Sequence, residues 1–318
     1  MSITVVGSIA YDAVKTPFGE RERMLGGAAT HFALAASFFE QVHVVGPVGE
    51  DFAETDLQML RDRGIDTSDI ERLAGKTFFW RGEYGWDLNS RETLDTRLGV
   101  FEGFQPKLSV QSRASDVLFL ANIQPELQLE VRGQLPDARF VALDSMNLWI
   151  DIARDALVQA IELCDCVILN DAELRQLTAK PSLVSAAREV LSWKPRSGEG
   201  RGPSVIVAKQ GEYGAALITR ESFFSLPAFP LETVIDPTGA GDTFAGGLIG
   251  YVAAHPHDEL SDELLRRAMA HATALASFNV EEFGTERVAR LTSDEIAQRV
   301  GELARITHFV DAPIELRG

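Results

Sequence analysis

Asp236-Pro-Thr-Gly-Ala-Gly-Asp242, continued by Thr243-Phe-Ala-Gly-Gly-Leu-Ile-Gly-Tyr251, decides how this chain is read. A glycine-rich turn runs into an amphipathic helix with Phe244, Leu248, Ile249 and Val252 on one face. The first helical amides, at Gly239, Ala240 and Gly241, point at whatever lies above the helix start. Unpaired N–H groups and the helix dipole both favour negative charge there. Asp242 is out of place as an anion binder but well placed as a base beside one. Phosphoryl transfer uses that pairing: donors for the charge on the transferred group, and a base for the attacking hydroxyl.

The chain around this stretch has 318 residues, 45% of them hydrophobic, enough for one large α/β domain or a domain with a small attachment. Its formal net charge of −17 argues against nucleic acid or an anionic membrane surface as a partner, since both require basic patches. A nucleotide ligand is not excluded, because local amides and Mg²⁺ can hold its phosphates. The two cysteines, Cys164 and Cys166, enter an apolar run with no nearby histidine, so they cannot close a structural zinc site. Without a disulfide framework, a signal-peptide pattern before Ile3-Thr-Val-Val or an apolar run of membrane-spanning length, the expected location is cytoplasmic.

Short β-branched runs at 3–6, 42–48, 117–120, 140–143, 166–169 and 204–208 alternate with helical patterns at 27–39, 51–63, 126–135, 149–163, 171–177 and 183–191. Apolar strands separated by helices predict a parallel sheet covered on both faces. The last third reads as helices over 239–255, 261–280 and 292–306. Residues 12–24 and 76–101 break the alternation. The second carries Phe78, Trp80 and Tyr84 in alternating positions, and both read as strands of a small separate sheet. Such a sheet suits a lid, a dimer contact, or both. Residues 194–203 have the composition of a surface loop.

The signature through Gly247, with Gly26-Gly-Ala-Ala-Thr30 opening a helix, resembles the ribokinase-like (PfkB) family of sugar and nucleoside kinases. The order of elements matches along nearly the whole chain. The resemblance implies a three-layer α/β/α domain with a mostly parallel central sheet (1–11, 25–75 and 102–318) and a small β-sheet lid (12–24 and 76–101). It implies ATP and Mg²⁺ as cofactors, K⁺ as a candidate, and a sugar or nucleoside as the small-molecule partner. A homodimer through the lid is a further candidate.

The resemblance also assigns roles. Asp242 would take the proton of the substrate hydroxyl, and Gly239, Ala240 and Gly241 would form the anion hole. Asp12, after the first strand, would accept hydrogen bonds from substrate hydroxyls, while Gly26 and Gly27 let backbone approach the substrate. Thr30 departs from the asparagine that many sugar kinases carry, and fits a plain helix residue as well as a substrate contact. Asn122 and Asn147 follow strands at the same sheet edge and are candidates for the substrate cavity. Asn170 and Glu173 match an Asn-x-x-Glu motif that positions Mg²⁺ through water, and also make a helix cap. Lys209, Gly211 and Gly214 match a nucleotide-binding turn, with Asn279 on an adenine wall. Asp236 is a candidate for K⁺ and equally a turn-forming aspartate. His255 and His257 have metal-compatible spacing without a third ligand, and His31 reads as a packing residue.

The function implied first is a kinase for the hydroxymethyl group of a small sugar, of ribokinase or fructokinase type. A nucleoside (adenosine-type) kinase is the alternative, because Phe78, Phe79, Trp80, Tyr84 and Trp86 suit a base. A catalytically silent ATP- or sugar-binding regulator is a second alternative. A phosphosugar kinase would draw on Arg81, Arg91 and Arg97.

Overall fold

Short, continuously apolar strands build the main sheet. The structure, a computed structural model, describes residues 1–196, 202–256 and 260–308. Its strands are β1 (Ser2–Val6), β2 (Ala10–Thr16), β3 (Gly19–Gly26), β4 (Gln41–Gly49), β5 (Ile70–Leu73), β6 (Phe78–Tyr84), β7 (Arg91–Arg97), β8 (Val117–Leu120), β9 (Phe140–Asp144), β10 (Cys166–Asn170), β11 (Val205–Lys209), β12 (Ala215–Ile218) and β13 (Phe223–Leu226). Nine form one sheet in the order β13-β12-β11-β10-β9-β8-β1-β4-β5, parallel except at β12 and β13.

Alternate residues of each central strand face different cores. Val117 and Phe119 of β8, and Cys166 and Ile168 of β10, join Phe32, Phe244, Leu248 and Met269 on one side. Leu118, Leu120, Val167 and Leu169 join Val131, Leu157, Ile161 and Leu174 on the other. The first face is covered by the helices Ala28–Ala36, Ala240–Ala253 and Asp262–Asn279, the second by Pro125–Gln134, Arg154–Glu162, Asp171–Thr178 and Leu183–Leu191. This is the three-layer α/β/α arrangement that the alternation of runs predicts. Phe32 stacks on Phe119 with ring centroids 4.1 Å apart, fixing the first helix on the sheet.

A second, four-stranded sheet has the order β3-β2-β6-β7, and its β2–β6 pair is parallel. Its register sets Asp12 beside Trp80 and Val14 beside Gly82. Asp12, Val14, Trp80 and Tyr84 therefore share one face. Val14, Met24 and Phe283 pack there, with Trp80, Tyr84 and Ile235 against them.

Two expected helices change. The run 149–163 is split into Asn147–Ile152 and Arg154–Glu162 at Ala153, whose φ of −138° is not helical. Apolar spacing continues on both sides of the break, so periodicity does not show it. The helix expected over 51–63 begins only at Glu54, because the Asp51 side chain instead accepts from the amide and hydroxyl of Thr77. Cys164 and Cys166 are buried free thiols, held protonated by desolvation. No helix among the described residues is long and apolar enough to cross a membrane.

The signature helix Ala240–Ala253 lies between the two other helices of its face, and its glycines make that possible. A Cβ on Gly246 would overlap the carbonyl oxygen of Phe32 and lie 2.8 Å from the Ala35 Cβ. Gly246→Val should therefore destabilise the protein by about 1–3 kcal/mol, the usual cost of overpacking. Urea unfolding at neutral pH measures it, and an unchanged midpoint would refute the close approach.

Candidate active site

Parallel strands deliver their functional residues at their carboxyl ends. Asp144, Asn170 and Lys209 close β9, β10 and β11, with Asn170 in register with Lys209. Lys209 Nζ donates to Asp144 Oδ2 at 2.8 Å. The same ammonium lies under the signature turn: a Cβ on Gly241 would be 3.2 Å from it. Lys209 projects into the carboxylate cluster, while Gly211 and Gly214 form the turn after it. Gly214 has φ 95°, and a Cβ there would overlap the Leu226 carbonyl.

Asp242 lies in the first turn of its helix, at the N-terminal end where Gly239 (φ 75°) caps it. Burial raises its pKa, and the negative fields of Asp144 and Glu173 raise it further against the opposing Lys209. A carboxylate made more basic in this way suits proton abstraction near neutral pH. No acceptor among the described residues takes the Gly239 and Gly241 amides, whereas the Ala240 amide reaches Pro237 O at 3.3 Å. Gly239 and Gly241 thus carry the amides without an acceptor at this helix start, and Ala240 closes the turn.

Asp12 is 6% exposed, and the Gly27 amide beside it favours its charged form. Burial, then repulsion from Asp236 and Asp242, pushes its pKa up to about 7. A Cβ on Gly26 would overlap the Asp12 carboxylate, so Gly26 makes room for this aspartate, while Gly27, at φ 95°, lets its backbone pack against that of Ser8 and Ala10. Thr30 is a wholly buried helix residue, with no partner for its hydroxyl among the described residues. Asn122 accepts from Trp149 Nε1 at 3.0 Å, and Asn147 begins a short helix on the surface.

Asn170 and Glu173 complete a capping box: Asn170 Oδ1 accepts from the Glu173 amide at 2.7 Å, and Glu173 Oε2 from the Asn170 amide at 2.8 Å. Burial raises the Glu173 pKa to about 6, with Lys209 opposing and Asp144 adding to the rise. Asp236 is fully buried, and both its oxygens are engaged, by the amides of Thr238 (2.9 Å) and Gly284 (3.0 Å). Its side chain ties the turn to the 280–284 segment.

The small sheet reaches over this edge. Thr238 Oγ1 donates to Tyr84 Oη at 3.1 Å, and Asn89 donates to Glu212 at 3.1 Å, across to the turn after β11. Arg91 of β7 packs over the Trp80 ring and its charge reaches both Asp12 and Glu173.

The family model of the pfkB carbohydrate kinases matches residues 114–290. The cytidine kinase of Thermococcus kodakarensis is 30% identical over 275 residues, 84% of this chain and 95% of that protein. The chain belongs to the pfkB carbohydrate kinase family. The nucleoside kinase of Methanocaldococcus jannaschii superposes with a TM-score of 0.74 at 20% identity, over 95% of this chain and 98% of that one. Arabidopsis thaliana ribokinase, complexed with ribose and ATP, gives 0.72 at 18% identity over 94% and 98%. These two share the ribokinase-like fold. As a pfkB kinase the protein is a phosphotransferase acting on a hydroxyl of a sugar or nucleoside.

One residue of this carboxylate cluster escaped the sequence reading. Asp144 was legible only as the last residue of a strand, yet it is the ion-pair partner of Lys209. Asn279, expected on the adenine wall, has no exposed surface. Its amide donates to Thr238 O at 2.7 Å and its oxygen accepts from Thr243 Oγ1 at 3.0 Å, beneath the turn. His257 lies outside the described residues. His255 stacks on Tyr251, and no cluster of three or more His, Cys, Asp or Glu side chains among the described residues is arranged to hold a metal.

The raised Asp12 pKa has a stability consequence. The native state binds this proton more tightly than the unfolded chain, so its contribution is present at acid pH and lost as pH rises through about 7. Asp12→Asn should therefore stabilise the protein at about pH 8, by up to a few kcal/mol, with the gain vanishing near pH 4. Thermal unfolding across that range is the check; a gain independent of pH would contradict the assignment.

Proposed function

We propose that this kinase transfers the γ-phosphoryl group of ATP to the hydroxymethyl group of a nucleoside. The observation that carries the nucleoside reading is the face shared by Asp12, Trp80 and Tyr84 in the small sheet. A carboxylate for ribose hydroxyls then stands beside half-buried rings able to stack on a base. The relation to a cytidine kinase over most of both chains points the same way. A free sugar of ribose type is the second reading, favoured by the fold shared with a ribose-bound ribokinase and served equally by Asp12.

In this mechanism Asp12 accepts from two substrate hydroxyls and orients the ring. Asp242 takes the proton of the primary hydroxyl as its oxygen pair forms the new P–O bond. The γ-phosphorus bond to the bridging oxygen breaks, and ADP carries away that electron pair. The Gly239 and Gly241 amides receive the charge on the phosphoryl oxygens, in the direction the helix start favours. Lys209 keeps positive charge beneath the same turn, and Gly211 and Gly214 shape the nucleotide side. Glu173, with one oxygen held by the Asn170 amide and the other outside the cap, fits Mg²⁺ held through water. Such an ion supplies neutralisation of phosphate charge. The small sheet acts as the lid, and its contacts through Tyr84 and Asn89 keep water from the reacting groups.

ATP consumption with cytidine, adenosine, inosine, ribose and fructose tests the substrate class. A nucleoside should exceed the free sugars in kcat/KM. Trp80→Ala should raise the nucleoside KM about 10-fold, as loss of base stacking worth about 1–3 kcal/mol requires, and leave ribose little changed. Faster turnover of ribose or fructose than of every nucleoside would overturn the reading.

A further inference from the structure

His31 is wholly enclosed in the helix that follows Gly26 and Gly27, yet it is not only a packing residue. Its ring fills the space under Gly239: a Cβ there would overlap the imidazole, and Gly239 adopts φ 75°. His31 Nδ1 lies 3.1 Å from Asn279 Oδ1. The orientation of Asn279 is fixed independently, because its Nδ2 donates to the Thr238 carbonyl, which can only accept. Its Oδ1 therefore faces His31 and Thr243, and it takes the Thr243 hydroxyl proton at 3.0 Å. The remaining lone pair can be satisfied only if His31 Nδ1 carries hydrogen. Nε2 is then the bare nitrogen, and it has no partner among the described residues.

We propose that His31, as the Nδ1–H imidazole, is a positioning residue that sets the anion-binding turn through Gly239 and Asn279. The arrangement joins both halves of the site. The His31 helix is anchored at the substrate side by Ser8, whose hydroxyl and carbonyl accept from the Ala28 and Ala29 amides, each at 3.0 Å. At the phosphate side, Asn279 grips Thr238 and Thr243, which bracket the Gly239, Ala240 and Gly241 amides. Burial also lowers the His31 pKa, to about 4, so the ring stays neutral at physiological pH. A buried nitrogen left unpaired is destabilising, a burden that makes sense where the other face of the ring fixes the turn.

The inference rests on the kinase reading for its kinetic arm and stands apart from it in the spectroscopic one. Nitrogen NMR of the full chain with labelled histidine, with His31 identified by its loss in His31→Phe, should show Nδ1 protonated and Nε2 bare at neutral pH. His31→Phe keeps a ring against Gly239 and deletes the donor. It should lower kcat about 10-fold while KM for ATP and for the acceptor stay within about twofold. Thr243→Val should resemble it, and Thr243→Ser, which keeps the hydroxyl, should retain wild-type kcat. A folded His31→Phe with wild-type kcat, a loss carried by KM, or an Nε2-protonated or cationic ring would overturn the proposal. If His31→Phe does not fold, the Thr243 pair decides, and His31, identified by elimination among the remaining histidines, decides the tautomer. If no acceptor is phosphorylated by the wild type, the kinase reading fails and the tautomer measurement still decides this one.

Discussion

Lys209 Nζ, 2.8 Å from Asp144 Oδ2 and packed under Gly241, is the cation around which the carboxyl edge of the sheet is organised. Asp144, Glu173 and Asp242 all lie within its field, and burial opposes ionisation of each. Without that charge the three acids would have to share protons or move apart. With it, Asp144 is neutralised as a pair and Asp242 is left partly compensated, more basic than a free aspartate. In the proposed mechanism a base of that strength works beside two unpaired amides.

The backbone meets this requirement by close packing. The signature helix can bring Asp242 over Lys209 only because it lies against the Phe32 carbonyl, where Gly246 leaves room. Its start is set from below by the His31 ring and by Asn279, and from the side by Asp236, whose two oxygens hold the Thr238 and Gly284 amides. The small sheet touches the same turn through Tyr84. Substrate side and phosphate side are thus joined through one short segment, residues 236–243.

The layers of the fold were legible because central strands bury both faces and their helices keep the 3.6-residue period, as in β8 and β10. The interruption at Ala153 was not, since it leaves that period intact. Within the site, Asp12, Asp242 and the two glycine pairs could be named because local chemistry and motif coincide there. Asp144 and His31 could not. Their significance comes from contacts with Lys209, 65 residues away, and Asn279, 248 residues away, which no local pattern encodes. Asn279 was singled out with the wrong partner for the same reason: its helix placed it near the site, but only tertiary packing shows which side it faces.

The central claim is that Asp242 abstracts the hydroxyl proton, and single-turnover phosphoryl transfer by Asp242→Asn, alongside ATP affinity by calorimetry, tests it most directly. The account predicts a transfer rate reduced about 10²–10⁴-fold with ATP binding retained, the usual contribution of a general base. A rate within about threefold of the wild type, at equal nucleotide occupancy, would contradict it.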